Sequence, residues 1–251
     1  MKKFRLGSLG VLALAALLAA CAKKDATKYL VMGTNAEFPP FESLGGKDGK
    51  EIVGFDVEVA KAIAAKAGLP LRIENMPFDR LLPALAAGKL DLVLAGLSIT
   101  PERDQTVDFS APYYKATQVV LIVAGGPVPE TKEELKGTVV GVQQGTTGEK
   151  AAVDLVGREN VRPFSSVSAA VAELTSGAVY AVIIDEQPAI QLAKKEPLLM
   201  LLRMDFKDEF YGAAVQPGNA GLLATVNDAL AEIQSDGRYD LFLDQWLLQA
   251  E

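Results

Sequence analysis

The 251-residue sequence contains no histidine and a single cysteine, Cys21. Without histidine the chain lacks the commonest metal ligand and the commonest general base. No metal centre and no cofactor are expected. One cysteine excludes an internal disulfide framework. Positive charge is also in deficit: 25 Lys and Arg stand against 32 Asp and Glu, a net −7. That balance argues against a general nucleic-acid or anionic-membrane surface. The glycine-rich stretch Gly141–Gly148 is not followed by Gly-Lys-Ser/Thr, so it is not read as a nucleotide phosphate loop. What remains is globular composition, 49% hydrophobic and 23% charged. The length permits one large domain or two small ones with filled cores.

The N-terminus reads as a targeting segment. Lys2, Lys3 and Arg5 precede an apolar run from Leu9 to Ala20, which has the length of a signal peptide and is too short to span a bilayer. The expected leader is 1–20. It ends in Leu18-Ala19-Ala20-Cys21, which resembles the lipobox of bacterial lipoproteins. The resemblance implies a lipidated Cys21, a tether over 21–28 and a domain anchored to a membrane face while remaining in water. Losing the leader takes the net charge from −7 to about −10.

From Tyr29 onward strand-like and helix-like segments alternate. Tyr29–Met32, Leu71–Glu74 and Leu90–Ala95 have strand patterns. Between them lie a helical stripe of Val59, Ala60, Ile63, Ala64 and Ala67, with Asp56 as its expected cap and Gly68 as its stop, and a second helix over Phe78–Ala87. Gly45–Lys50 reads as a hairpin tip. The style repeats from about Val119: strands over Thr138–Val142, Val161–Phe164, Tyr180–Ile184 and Leu198–Leu202, with intervening helices. Thr146 and Glu149 have capping-box spacing. Two amphipathic helices, Gly218–Gln234 and Arg238–Gln249, finish the chain. This alternation predicts an α/β protein with two parallel sheets of roughly 90 residues each, wound with helices. A ligand would then sit at the carboxyl ends of strands, between the halves.

The chemistry collects at those strand ends. In Leu94-Ala95-Gly96-Leu97-Ser98-Ile99-Thr100-Pro101-Glu102-Arg103, Thr100 and Pro101 read as an N-cap and first helical residue. Arg103 then lies in a helix's first turn, where a cation is disfavoured by the dipole unless an anion joins it. Other loops offer Asn35, Phe38, Glu42, Phe78, Gln143, Thr146, Thr147 and Asp185. A guanidinium suits a carboxylate bidentately, Asp185 can accept from an ammonium, and rings can enclose a side chain or stack on a cation. The set fits an amino-acid zwitterion.

Several strings then occur in order: Gly33-Thr-Asn-Ala-Glu-Phe-Pro-Pro-Phe-Glu42, Val53-Gly-Phe-Asp56, Ser98-Ile-Thr-Pro-Glu-Arg103, Asp108-Phe-Ser, Pro112-Tyr-Tyr, Gly141-Val-Gln-Gln-Gly-Thr-Thr147 and Asp185. Together they resemble bacterial solute-binding family 3, the extracytoplasmic polar amino-acid-binding proteins of ABC importers, over about Lys28–Leu247. The resemblance implies a type II periplasmic-binding-protein fold. Two crossing hinge strands would lie near Ala116–Val120 and Lys207–Gly212. Lobe 1 would cover 29–117 plus 211–251, and lobe 2 118–210.

Carried over residue by residue, carboxylate contacts fall on Arg103, Ser98 and Thr146, and ammonium contacts on Asp185, Ser98 and the Gly96 carbonyl. Aromatic walls fall on Phe38 and Phe78, and selectivity positions on Asn35, Gln143 and Glu42. Some members carry a carboxylate where Asn35 stands, and some a serine pair at Ala95-Gly96. Any negative charge in the specificity pocket therefore rests with Glu42, or with Glu37. The Phe-Pro-Pro-Phe-Glu string is most similar to arginine or basic amino-acid binders, with glutamine the rival cargo. The implied protein is a monomer that captures a free amino acid by hinge closure and hands it to a permease, at the periplasm or the outer face of the plasma membrane. An enzyme on the same scaffold, such as a cyclohexadienyl or arogenate-type dehydratase, would need Glu37 or Glu42 as its general acid.

Overall fold

The computed structural model describes residues 28–248; the expected leader and the Cys21 lipidation site lie outside them. The first strand, β1 (Leu30–Thr34), leads into a three-stranded antiparallel ribbon of β2 (Glu37–Phe38), β3 (Glu42–Gly45) and β4 (Glu51–Val53). Helix α1 (Phe55–Ala67) follows. It buries Phe55, Val59, Ala60 and Ile63 and stops at Gly68, whose φ of 66° is the left-handed conformation a glycine supplies at a helix C-terminus. Asp56 does not cap this helix as expected. Gly54 holds the N-cap position, and Asp56 sits in the first turn with its carboxylate fully buried. Glycine is required at 54 because its φ is 144° and a Cβ there would lie 2.1 Å from the Phe41 carbonyl oxygen.

The chain continues through β5 (Leu71–Asn75), α2 (Phe78–Ala86), β6 (Leu92–Val93), α3 (Pro101–Asp104) and β7 (Asp108–Phe109) to a ten-residue strand, β8 (Tyr114–Val123). Beyond β8 lie β9 (Val140–Gln143), α4 (Thr147–Val156), β10 (Val161–Phe164), α5 (Val167–Thr175), β11 (Ala181–Asp185), α6 (Glu186–Lys195) and β12 (Leu199–Leu202). The return path is β13 (Asp208–Tyr211) and β14 (Ala214–Val215), followed by α7 (Ala220–Ser235) and α8 (Arg238–Leu243).

Two main sheets result. One has the order β5-β1-β6-β14-β7, the other β10-β9-β11-β8-β12. The expected parallel pairing holds for β1 with β5 and β6, and for β9 with β10 and β11. It fails where the chain changes sheet. β8 runs antiparallel to β11 and β12, and β14 antiparallel to β6 and β7. Both strands arrive by direct crossing instead of through a helical crossover, which is the connection that enforces parallel pairing.

The crossing itself is a two-stranded ribbon. Tyr114–Thr117 of β8 pairs with Asp208–Tyr211, and β8 then continues into the second sheet, where Val119–Val123 pairs with β11 and β12. This is the two-lobed type II arrangement with two crossing strands.

Each lobe has its own apolar packing. Leu81 and Leu85 of α2 pack with Leu90, Val93 and Leu97 in the first, and Val120, Ile122, Val140, Val142 and Ile183 cluster in the second. Burying each such side chain contributes roughly 1.5–3 kcal/mol. Phe41 packs at the ribbon, with ring centroids 4.9 Å from Tyr114 and 5.1 Å from Tyr211. Aromatic packing thus stiffens the crossing at its lobe-one end. Among the described residues, no helix is long and apolar enough to cross a membrane.

Candidate functional site

The strand ends of both lobes meet around one tightly closed cleft. The candidate residues read from the sequence lie along it: Asn35, Phe38, Glu42, Phe78, Gly96, Ser98, Arg103, Gln143, Thr146, Thr147 and Asp185, joined by Ala95. Two cross-lobe hydrogen bonds close it. Gln143 Nε2 donates to Asn35 Oδ1 at 2.8 Å, and an Arg103 guanidinium N–H donates to the Gly145 carbonyl at 3.0 Å.

Arg103 is placed by its short helix. The Thr100 hydroxyl caps α3 by accepting the Arg103 N–H at 3.2 Å, as the Thr-Pro pair predicts. The guanidinium also donates to the Ser98 carbonyl at 2.7 Å and lies 5.5 Å from the centre of the Phe78 ring. Burial pulls its pKa down, opposed by the nearby Glu209 and Asp185 charges. A half-buried cation bonded only to neutral carbonyls keeps most of its capacity for an anion.

Asp185 ends β11 and occupies the N-cap position of α6, yet its carboxylate makes no capping bond. It accepts instead from Gln118 Nε2 at 2.7 Å. Burial first, then the charge of Glu209, raises its pKa well above the usual carboxylate range, with Tyr211 and Arg103 pulling the other way. An arriving ammonium would relieve that unfavourable burial.

The two threonines divide labour. The Thr146 hydroxyl accepts the Glu149 N–H at 3.1 Å and donates to the Gln143 carbonyl at 2.8 Å, so it is committed to capping α4. The Thr147 hydroxyl points the other way, donating to Glu209 at 2.7 Å. Of the pair in the sequence, Thr147 is therefore the one with a hydroxyl directed toward the charged groups.

Phe38 and Gly96 fit against each other. Gly96 has a φ of 53°, and a Cβ there would lie 2.7 Å from the Phe38 ring. The Gly96 N–H is held by Asp56 Oδ2 at 2.8 Å, and the Tyr113 hydroxyl donates to the same carboxylate at 2.9 Å. The residue expected to cap a helix thus supports the cleft floor.

Glu42 differs most from its expected part. It is wholly buried, and burial followed by the charge of Asp56 pushes its carboxyl well above the usual range. Its neighbour Asp56 is itself pushed up to about 6, chiefly by burial. Glu37 is exposed on β2, outside the cleft lining. Neither supplies the negative charge sought in the sequence.

A further acid behind the cleft wall, Glu209, is one that the sequence reading passed over. Its carboxylate accepts from the Ser98 hydroxyl at 2.5 Å and the Thr147 hydroxyl at 2.7 Å. The signal available was alternation: Glu209 and Tyr211 are two apart on an expected hinge strand, so they share a face. Among the described residues no group of His, Cys, Asp and Glu could hold a metal ion.

The sequence matches the family described as bacterial extracellular solute-binding proteins, family 3, over residues 30–249. It is 36% identical to the ABC transporter arginine-binding protein 1 of Escherichia coli, covering 95% of this chain and 99% of that one. It is also 36% identical to a probable histidine-binding protein of Neisseria gonorrhoeae, covering 96% and 93%. Among solved structures, the arginine-, lysine-, histidine-binding protein ArtJ of Geobacillus stearothermophilus matches with a TM-score of 0.82 and 37% identity, over 88% of this chain and 95% of that one. The chain belongs to the bacterial extracellular solute-binding proteins, family 3.

Proposed function

We propose that this protein is the substrate-binding component of an ABC importer for a free L-amino acid, with a cationic amino acid, arginine foremost, as cargo. The observation that carries the reading is that Arg103 and Asp185 line one and the same cleft. A guanidinium and a carboxyl group on one cleft complement an α-carboxylate and an α-ammonium. The rings of Phe38 and Phe78 enclose the stem, and Asn35 with Gln143 meets the side-chain end. The acids Asp185 and Glu209 close together favour a cationic ligand, whose arrival relieves their mutual repulsion. Relatives named for arginine, histidine and lysine support the same cargo class.

Lobe 1 comprises 29–117 plus 211–251 and lobe 2 118–210, which agrees with the ribbon where β8 and β13 cross. The open form takes ligand on lobe 1 through Arg103 and Ser98, and lobe 2 then brings Asp185 and Thr147. Closure is a population shift, so contacts made only in the closed form drive it. The protein works outside the cytoplasm as a monomer, lipid-anchored through Cys21, and delivers cargo to its permease. It is a binder and not an enzyme: of the two acids considered as a protruding general acid, Glu37 is off the cleft, and Glu42, though along it, is wholly buried and does not protrude.

Titration calorimetry with the twenty common amino acids, beside a turnover assay on prephenate-like acids, tests this. Heats with arginine, lysine or histidine and no turnover are expected. No heat with any amino acid would sink the reading.

A further inference from the structure

We propose that Glu209 is a positioning residue that turns the Ser98 and Thr147 hydroxyls into pure acceptors and so reserves their part of the cleft for an ammonium group. The inference rests on the amino-acid reading above and assigns the polarity of one subsite within it.

Glu209 is held from both sides. On β13 it pairs with Ala116 of β8. Its neighbours bond to the loop bearing Ser98: the Ile99 N–H donates to the Phe210 carbonyl at 2.8 Å, and the Gly212 N–H to the Leu97 carbonyl at 3.0 Å. With its backbone fixed, Oε2 accepts the Ser98 hydroxyl from lobe one and the Thr147 hydroxyl from lobe two, at 2.5 and 2.7 Å. Oε1 lies 3.4 Å from Gln118 Nε2, the amide that also serves Asp185.

A carboxylate can only accept, and each hydroxyl owns a single proton. Once those two protons point at Glu209, Ser98 Oγ and Thr147 Oγ1 can act only as acceptors, and one lone pair of Thr147 Oγ1 is already taken by Gln118 Nε2 at 3.3 Å. With Asp185 these side-chain oxygens present acceptors to the cleft, which complements an ammonium, while Arg103 is the side chain suited to the carboxylate. The polarity of the ligand is thus set from behind, since Glu209 itself does not line the cleft. An uncharged amide at 209 would release one hydroxyl proton, or donate to it, and blur the distinction.

The test compares L-arginine with 5-guanidinopentanoate, the same molecule lacking the α-amino group, on the parent and on Glu209→Gln. Calorimetry, with ligand-observed NMR at millimolar concentrations for weak binding, gives the affinities. L-arginine is expected to weaken at least tenfold in the variant while 5-guanidinopentanoate changes less than threefold. Equal losses for both would show a merely structural role, and an unchanged L-arginine affinity would show no role; either overturns the proposal. Should Glu209→Gln fail to fold, Glu209→Asp, which keeps the charge but withdraws it from the two hydroxyls, carries the same expectation. A parent that binds neither compound overturns the cargo assignment instead, a result read before any variant is made.

Discussion

Gln143 Nε2 donates to Asn35 Oδ1 at 2.8 Å, joining residues 108 positions apart from opposite walls of the cleft. Both amides are buried. The bond is therefore a contact of the closed form and a lining of the side-chain end of the site. Its neutrality sets how strongly a cationic side chain is preferred there.

Asn35→Asp should sharpen that preference. The shape is kept and the acceptor becomes charged, which roughly doubles a hydrogen bond's strength. The ratio of L-arginine to L-glutamine affinity should rise about tenfold, equivalent to about 1.4 kcal/mol. A competition titration that finds the ratio unchanged or lowered would move the side-chain end elsewhere.

Arg103→Ala should weaken amino-acid binding on the order of 100-fold, because losing one partner of a desolvated charge pair costs about 2–5 kcal/mol. Arg103→Lys should recover only part of this, since an ammonium cannot bind bidentately. Parent-like affinity for Arg103→Ala in calorimetry would remove the carboxylate assignment.

The threonine pair separates stability from binding. Thr146→Ala removes the α4 cap, at about 1 kcal/mol, and should lower Tm by about 2–4 °C in a chain of this size with little change in affinity. Thr147→Val keeps shape and loses the hydroxyl facing Glu209, so affinity should fall while Tm holds. Scanning calorimetry and ligand titration on the two variants settle it, and the reverse pattern would reinstate Thr146 as the ligand contact.

The buried acids make stability depend on pH. Asp56 is pushed up to about 6 from 3.8, and Glu42 is raised well above 4.5, both first by burial. In this window the folded state binds more protons than the unfolded state, so the unfolding free energy falls as pH rises from about 4 through the folded pKa values. Asp185 acts with the same sign. The ligand-free protein should melt higher at pH 5 than at pH 7.5, and Glu42→Gln should reduce that difference. Glu102, Glu232 and Asp236 have lowered pKa values and act only below about pH 4.5, outside this comparison. A parent that melts higher at pH 7.5 would refute the upward shifts of Glu42 and Asp56.

Much of the molecule follows from the sequence alone. Glycine stops, capping threonines and the alternation of short apolar runs with amphipathic stripes determine where helices and strands form, because these are local effects of φ, hydrogen-bond satisfaction and burial. Thr100 and Thr146 cap as their spacing requires, and the Pro-rich and Ser-Ile-Thr-Pro-Glu-Arg segments bring their residues to one cleft. Tertiary structure alone decided the rest. Asp56 has cap-like sequence neighbours but is drawn inward by the Gly96 N–H and the Tyr113 hydroxyl, 40 and 57 residues away. Glu42 and Glu209 are indistinguishable as acids in a sequence. Burial against Asp56 pushes the pKa of one upward, while the other accepts two hydroxyls from opposite lobes behind Ser98. Charge state and the direction of a hydroxyl proton depend on what non-local packing places within 3 Å. That is why the stretch from Gly96 to Arg103 could be recognised from its residues, while the polarity of its serine could be read only from the folded chain.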